Sequence, residues 1–335
     1  MKRHIALFSW TLAVTLPFAA VIRPSLSEAQ PSAKLPRIGY LGAGFAPTPT
    51  SPSSGFESFR KALTDLGYVE GQNIIIESRW PEGGRADRLP GTAAELVSLK
   101  VDVICASGGI AARAAKSATT NIPIVFAVVV DPVGFDLVAN RDRPGGNVTG
   151  FTTFDPQQAR KQLGILKEAL QRLARVAVLG QADISELLYK ENEHHARALG
   201  LETKYITVQI PNPDLEGAVA AAKRDRADAL VILNHPGIGP NRRRIAELAA
   251  KQRLPTLFAG SVEDAGGLIS YGTNLAATGQ RMAIYVDKIL KGTKPGDLPV
   301  EAVSSHVLII NLKTAREIGV TIPSEVLKWA DQVIE

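Results

Sequence analysis

The sequence is poor in the residues that would build a disulfide scaffold or a nucleic-acid surface. Its 335 residues include a single cysteine, Cys105, so no intramolecular disulfide can form. Cys105 ends an apolar run at 101–105, where a small buried hydrophobic residue is more expected than a reactive thiol. The formal net charge is +5 and no long basic run occurs. Nucleic-acid binding therefore has no support from composition.

Motifs of the common enzyme classes are also missing. The chain has no Gly-x-Ser-x-Gly, no phosphate-binding Gly-Lys-Ser/Thr and no His-Glu-x-x-His. The glycines at 39–44 follow the reverse order of the dinucleotide fingerprint. Glu191, His194 and His195 lie on one predicted helix, but without a partner motif a solvated face is the more common reading than a metal site. The sequence indicates no cofactor, no metal and no enzymatic activity.

The amino terminus has the pattern of a secretory signal peptide. Residues 2–4 are basic, residues 5–20 are mostly apolar, and Ser-Glu-Ala at 27–29 forms a small-x-small cleavage site. We predict a cleavable leader at residues 1–29 and a periplasmic mature protein of net charge +3. An uncleaved anchor is the alternative, because residues 5–22 nearly reach the ~20 residues of a spanning helix. No cysteine follows the leader, so a lipid anchor is not expected.

Short β-branched runs alternate with helical patterns after the leader. Runs without polar alternation are typical of parallel strands that are buried on both faces. The predicted strands are residues 37–41, 73–77, 101–105, 122–130, 175–179, 202–208, 229–233, 255–259 and 307–310. Helices between them have apolar residues at three- and four-residue spacing, as at 56–66 before Gly67 and at 187–199 before Gly200. A further amphipathic helix is predicted at 275–290.

This alternation predicts an α/β protein with two doubly wound, Rossmann-like lobes. About 300 residues exceed what one hydrophobic core usually holds, and one series of strands lies on each side of residue 150. We expect an N-terminal lobe of residues 36–150 plus 274–300, and a C-terminal lobe of residues 151–273 plus 301–335. Turn-rich stretches at 143–154, 266–274 and 294–299 predict a three-stranded hinge, with ordinary surface loops as the alternative.

A set of short motifs, in a fixed order, resembles one family along essentially the whole chain after Pro36. The motifs are Gly-Tyr-Val-Glu-Gly-Gln-Asn at 67–73, Arg-Trp at 79–80, Asp-Arg-Leu-Pro at 87–90, Ala-Ser-Gly-Gly at 106–109, Ile-Pro-Ile-Val-Phe at 122–126, Asp-Pro-Val at 131–133, Arg-Pro-Gly-Gly-Asn-Val-Thr-Gly at 143–150, Ser-Tyr-Gly-Thr at 270–273, Ile-Leu-Lys-Gly at 289–292 and Ile-Asn-Leu-Lys-Thr-Ala at 310–315. The sequence resembles the ABC-transporter substrate-binding proteins that include tryptophan/tyrosine-type solute receptors.

The resemblance implies a type I periplasmic-binding fold that holds a small-molecule solute between its lobes. It also implies delivery of that solute to ABC-transporter permease subunits in the inner membrane, and a monomer is expected. The solute is not identified, although an amino acid or an aromatic compound is favoured.

Ligands of open α/β sheets bind beyond the carboxyl ends of the strands, which selects residues of the first lobe. Ser107, Gly108 and Gly109 follow a strand and open a helix whose free N–H groups suit a carboxylate, although Ser107 could serve only as a helix cap. Asp131 suits an ammonium group but also fits an ordinary turn before proline. At 44–45, Gly44 permits close approach of a solute and Phe45 could stack on it.

The same rule selects residues of the second lobe and the hinge. Asn234 and Ser261 follow predicted strands, and Tyr271 and Thr273 lie at a predicted crossing. Thr153 lies on the first crossing, where alternate residues point in opposite directions, so it and Thr152 cannot both face the cleft.

Three other functions remain as alternatives. An exported receptor of the same fold could signal to a membrane partner. A ligand-sensing regulator would need a DNA-binding headpiece before Pro36, where the leader lies. An exported α/β enzyme lacks an identifiable nucleophile or base constellation.

Overall fold

The structure is a computed structural model, and it describes residues 35–49, 53–181, 186–209, 212–234, 238, 241–260 and 266–335. The predicted leader at 1–29 and the predicted site residue Ser261 lie outside these ranges. No helix within them has both the length and the apolarity needed to cross a membrane.

The first half of the chain alternates strands and helices. Its elements are β1 Arg37–Gly42, α1 Ser54–Asp65, β2 Ile75–Arg79, α2 Leu89–Ser98, β3 Val103–Ser107, α3 Gly109–Ala118, β4 Ile124–Val129 and β5 Val148–Thr152.

The same alternation continues in the second half. Its elements are α4 Gln158–Ala169, β6 Arg175–Gln181, α5 Glu186–Ala198, β7 Glu202–Val208, α6 Leu215–Arg224, β8 Ala229–Ile232, α7 Arg242–Lys251, β9 Thr256–Phe258, β10 Ile269–Thr273, α8 Leu275–Leu290, β11 Glu301–Ala302, β12 His306–Asn311, α9 Leu312–Ile318, α10 Ser324–Leu327 and β13 Gln332–Ile334.

The strands form two separate sheets. The first has the order β11-β5-β4-β3-β1-β2, and the second has the order β13-β12-β10-β9-β8-β6-β7. All pairings are parallel except that of β10 with β12. The predicted α/β fold with two doubly wound lobes is confirmed.

Each sheet is buried on both faces, which explains why its strands lack polar alternation. In β3, Val103 and Cys105 pack into one core cluster while Ile104 and Ala106 pack into another on the opposite face. The second sheet repeats this division along β6. Burial raises the pKa of the Cys105 thiol, which keeps it in the unreactive protonated form and fits a structural role.

Helix α1 shows how local sequence fixes an element. Ser53 caps its amino terminus by accepting a hydrogen bond from the Phe56 N–H. Phe56, Phe59 and Leu63 are buried at helical spacing, whereas Leu66, assigned to the same apolar face in the prediction, is 41% exposed beyond the helix end. Gly67 follows with φ of +90°, a conformation that favours glycine.

The chain passes between the sheets three times, at residues 153–157, at Asn274 and at residues 303–305. The third passage lies later than the predicted stretch at 294–299. Val300 and Val303 donate backbone hydrogen bonds to Arg141 and Thr152, and these bonds keep β11 beside β5 in the first sheet. The first sheet thus includes residues 151–152 and 301–302, which the expected lobe boundaries assigned to the second lobe.

Candidate functional site

An open cleft lies where the two lobes face each other, and the empty space in it, open solvent included, is about 790 Å³. The first lobe contributes Val128, Val130 and Leu275 to its wall. The first crossing contributes Thr153, Phe154 and Asp155, and Thr273 contributes from the end of β10. The second lobe contributes the most residues: Gln158, Ala159, Gln162, Leu188, Glu191, Asn192, Leu233, Asn234, Arg242, Ala259 and Gly260.

Strand ends and helix faces supply this wall in different ways. Val130, Asn234 and Gly260 follow β4, β8 and β9, so the parallel arrangement carries them to one edge of their sheets. Helices α4 and α5 instead present side chains at helical spacing, because residues three and four positions apart share a face. The result is a site with apolar surface and several polar groups, as small-molecule sites usually have.

The first lobe has a backbone irregularity at this wall. Val128 has φ of +58° inside β4, and the pairing of β4 with β5 shifts register between Phe126 and Val129. A β-branched residue is strained in this region, by about 1–3 kcal/mol. Bulges of this kind occur next to functional sites, where they redirect a side chain. Val128 is half-buried and lines the cavity.

The hinge side of the cavity is held by a cluster of polar and aromatic side chains. The Tyr271 and His306 rings stack with centroids 5.2 Å apart and planes 8° apart. The Gln162 amide donates a 2.9 Å hydrogen bond to the Tyr271 carbonyl. Burial raises the pKa of Tyr271 to about 12, and the negative charges of Asp155 and Asp331 add to this effect. Helix α4 is thereby joined to strands β10 and β12.

His306 occupies this cluster in its neutral form. Its Nδ1 lies 2.9 Å from the Ser304 carbonyl, which can only accept, so Nδ1 carries the proton. The unprotonated Nε2 has no hydrogen-bond partner among the described residues and lies 3.6 Å from the Asp155 carboxylate. Burial lowers the pKa of His306 more than the neighbouring Asp155 raises it.

Three of the residues selected from the sequence line the cavity. Thr153 and Thr273 are buried, and Asn234 is exposed at the end of β8. The Thr153 N–H donates to the Val129 carbonyl at 2.8 Å, which ties the first crossing to β4. Tyr271 lies beside them in the stacked hinge cluster rather than on the cavity wall.

The first-lobe group after β3 lies apart from this wall. Ser107 is half-buried and hydrogen bonds with Tyr40, while burial raises the pKa of Tyr40 to about 12. Gly108 has φ of +105°, and a side chain there would contact Ala43. Gly109 opens α3, which has no side-chain cap at Gly108.

The other first-lobe candidates take part in loop contacts. The Asp131 carboxylate accepts a 2.8 Å hydrogen bond from the Gly134 N–H, as a turn residue does. Phe45 is 59% exposed and packs over Gly84, and Gly44 has open space where a side chain would lie. Neither Asp131 nor this loop lines the described cavity.

The helical residues of the wall are not among those predicted from the sequence. Gln158 and Gln162 on α4, and Glu191 and Asn192 on α5, line the cavity, as does Arg242 at the start of α7. The available signal was the spacing of polar residues on helices that also carry apolar faces. Within the described ranges, no group of three or more histidine, cysteine or acidic side chains is arranged to hold a metal ion.

Fold and site together define a class of protein. Two doubly wound lobes, three crossings and a cavity between the lobes make this a solute-binding protein of the type I periplasmic-binding fold. A family model described as ABC transporter substrate binding protein matches residues 52–334. The chain belongs to this family, whose members are binding proteins rather than enzymes.

Individual relatives agree with this membership. The chain is 27% identical over 274 residues to a tyrosine-binding protein of Clostridioides difficile, and the alignment covers 78% of this chain and 75% of the relative. A conserved domain protein from Vibrio cholerae superposes with a TM-score of 0.80 at 26% identity, over 90% of this chain and all of that one. An ABC domain from Streptococcus pneumonia in complex with L-Trp superposes with a TM-score of 0.79 at 25% identity, with the same coverage.

Proposed function

We propose that the protein captures an amino acid or a small aromatic compound between its lobes and delivers it to an ABC-transporter permease. The observation that carries this proposal is the open cleft to which both lobes and the first crossing contribute. The tyrosine-binding relative and the L-Trp complex support an aromatic amino acid as the first solute to test. In this proposal the protein binds its solute and catalyses no reaction.

The place of action that we propose is the periplasm, where the protein acts as a monomer. Support comes from the family and from the basic, apolar and small-x-small pattern at residues 1–29. In this proposal the leader is removed after export, and the mature protein carries the bound solute to the permease.

Closure of the lobes completes the site in this proposal. The lobes expected from the sequence, residues 36–150 plus 274–300 and residues 151–273 plus 301–335, move against each other with the three crossings as the hinge. Residues 151–152 and 301–302 move with the first sheet, to which they belong. The solute first meets the second-lobe wall beside Thr153, Asn234 and Thr273. Closure then brings the carboxyl ends of β1, β3 and β4 against it. We assign first-lobe contacts to Gly44, Phe45, Ser107, Gly108, Gly109 and Asp131, and second-lobe contacts also to Tyr271 and Ser261.

Calorimetric titration and thermal unfolding test the proposal directly. L-Tyrosine or L-tryptophan should raise the melting temperature of the protein, because a ligand that binds only the folded state stabilises it by mass action. A screen in which no amino acid or aromatic acid shifts the melting temperature would contradict the proposed function.

Two substitutions test the first-lobe contacts. Ser107→Ala and Asp131→Ala should each weaken solute binding while the protein stays folded, because each removes a polar partner from a desolvated site. Asp136→Ala is the matched control, since Asp136 lies on the same loop with a fully exposed side chain. Unchanged affinity in either test variant removes that residue from the site.

A further inference from the structure

Helix α5 presents three neighbouring side chains to the cavity. Leu188, Glu191 and Asn192 all line it, and their spacing of three and four residues places them on one face of the helix. This face combines one apolar group with two groups that carry acceptor oxygens. It is therefore suited to a ligand that brings hydrogen-bond donors beside an apolar body.

Asn192 has an unsatisfied acceptor on this face. The residue is 3% exposed, and its Nδ2 donates a 2.9 Å hydrogen bond to the Leu188 carbonyl. This bond orients the amide, because the opposite orientation would set two acceptor oxygens against each other. The Oδ1 atom has no donor among the described residues and is shielded from solvent. Buried acceptors usually have a partner, so this oxygen needs an explanation.

Glu191 adds a carboxylate one residue away. Its Oε2 lies 3.4 Å from Nε2 of His195. That same nitrogen lies 2.9 Å from the Pro156 carbonyl, which can only accept, so the Nε2 proton is shared with Pro156. The carboxylate therefore retains acceptor capacity for a second donor. Its side chain is 28% exposed, which leaves it within reach of the cavity.

We infer that the α5 face, through the Glu191 carboxylate and the Asn192 Oδ1, recognises a protonated amine on the solute. An ammonium group carries three donors and a positive charge, which match two acceptor oxygens of which one is charged. Asn192 lines the cavity, so a solute amine bound there can donate to its unsatisfied Oδ1. The inference rests on the proposed function and narrows it to amine-bearing solutes, of which amino acids are the nearest class. Amine-free aromatic acids are disfavoured.

The test uses matched probes titrated into the full-length protein by calorimetry. L-Tryptophan carries an amine and a carboxylate, tryptamine lacks the carboxylate, and indole-3-propionate lacks the amine; L-tyrosine, tyramine and 3-(4-hydroxyphenyl)propionate form the second series. In at least one series, the amino acid should bind at least 10-fold more tightly than its amine-free analogue.

Variants of α5 separate recognition from folding. Glu191→Gln should weaken amino-acid binding at least 10-fold without weakening the binding of the amine-free analogue. Asn192→Leu should also weaken amino-acid binding, although removing an unsatisfied polar group does not by itself destabilise the fold. Glu193→Gln is the control on the same helix, because Glu193 is exposed and pairs with Arg197. Melting temperatures measured without ligand verify that each variant is folded.

The outcomes distinguish the two levels of the proposal. If, in every series that shows binding, the amine-free acid binds as tightly as its amino acid, the inference is wrong while solute binding stands. The same holds if Glu191→Gln and Asn192→Leu both retain wild-type amino-acid affinity. If no probe of either series and no other small molecule binds, both the inference and the proposed function are overturned.

Discussion

Replacing His306 with phenylalanine tests whether a neutral imidazole stabilises the hinge. The ring stacks on Tyr271, and its unprotonated Nε2 faces Asp155 at 3.6 Å. Phenylalanine preserves the stacked ring but cannot accept a proton. The substitution also removes the 2.9 Å hydrogen bond from Nδ1 to the Ser304 carbonyl. Loss of the titrating imidazole changes stability in a way that depends on pH between 5.5 and 7.5. Loss of the hydrogen bond to Ser304 changes stability equally at every pH.

The sign and the size of the effect follow from proton linkage. Burial lowers the pKa of His306 in the folded protein below its ordinary value of about 6.5. As the pH falls through this value, the unfolded chain takes up the proton before the folded chain does. The wild-type free energy of unfolding should therefore be fully present above pH 6.5 and decrease below it. For one proton, the slope is at most about 1.4 kcal/mol per pH unit.

The assay is urea unfolding of both proteins at intervals between pH 5.5 and 7.5. At pH 7.5, His306→Phe should be less stable by about 0.5–1.5 kcal/mol, the usual contribution of one hydrogen bond. This difference should shrink as the pH falls, because only the wild type loses stability through this site. Equal m-values would show that both proteins expose the same surface on unfolding.

A control isolates the imidazole from the stack. Tyr271→Phe keeps both the ring contact and His306, and the Tyr271 hydroxyl, with its pKa of about 12, does not titrate in this range. Its pH profile should run parallel to that of the wild type. A difference in stability between His306→Phe and wild type that is the same at every pH would contradict a neutral imidazole at this position. A difference that grows as the pH falls would also contradict it, because attraction to Asp155 would then outweigh burial.

Three further substitutions probe the backbone and the buried polar groups. Gly272→Ala should lower stability by about 1–3 kcal/mol and distort the cavity wall, because its Cβ would lie 2.3 Å from the Gly260 backbone; unchanged thermal unfolding would contradict this. Tyr68→Phe should cost about 0.5–1.5 kcal/mol in urea unfolding, since it removes a 2.9 Å hydrogen bond to the Asp287 carboxylate, which keeps Lys291 as a partner. Val128→Gly should change stability by less than about 1 kcal/mol, because relief of the strained backbone offsets the lost packing of a half-buried side chain.

The strand and helix order was predictable because strands that are buried on both faces consist of continuous apolar residues. The predicted bounds of 202–208 and 275–290 are those of β7 and α8. Apolar runs mark the strands of a parallel sheet, and apolar residues at helical spacing mark the crossover helices. The two series on either side of residue 150 then account for the two lobes.

Strand starts were less predictable, because apolar residues also pack outside the sheet. The run at 101–105 belongs to a strand that begins at Val103, since the Asp102 carboxylate accepts the Arg37 N–H at 2.7 Å and ends the ladder there. The run at 122–130 contains Pro123, which has no N–H to donate, and β4 begins one residue later. Hydrophobicity reports burial, whereas strand bounds depend on which backbone groups pair.

The candidate site has wall residues at strand ends, which the sequence predicts, and wall residues on helices, which it does not. The rule on strand ends points to Thr153, Asn234 and Thr273, and these three do line the cavity. Whether the solute touches them stays a prediction. The rule has no counterpart for helices, because the face that a helix turns to a cleft depends on how it packs against its sheet. That the Asn192 Oδ1 is buried without a partner depends on how α5 packs, which the sequence does not predict. Chain connectivity therefore locates the cavity, while helix packing decides which chemical groups select the solute.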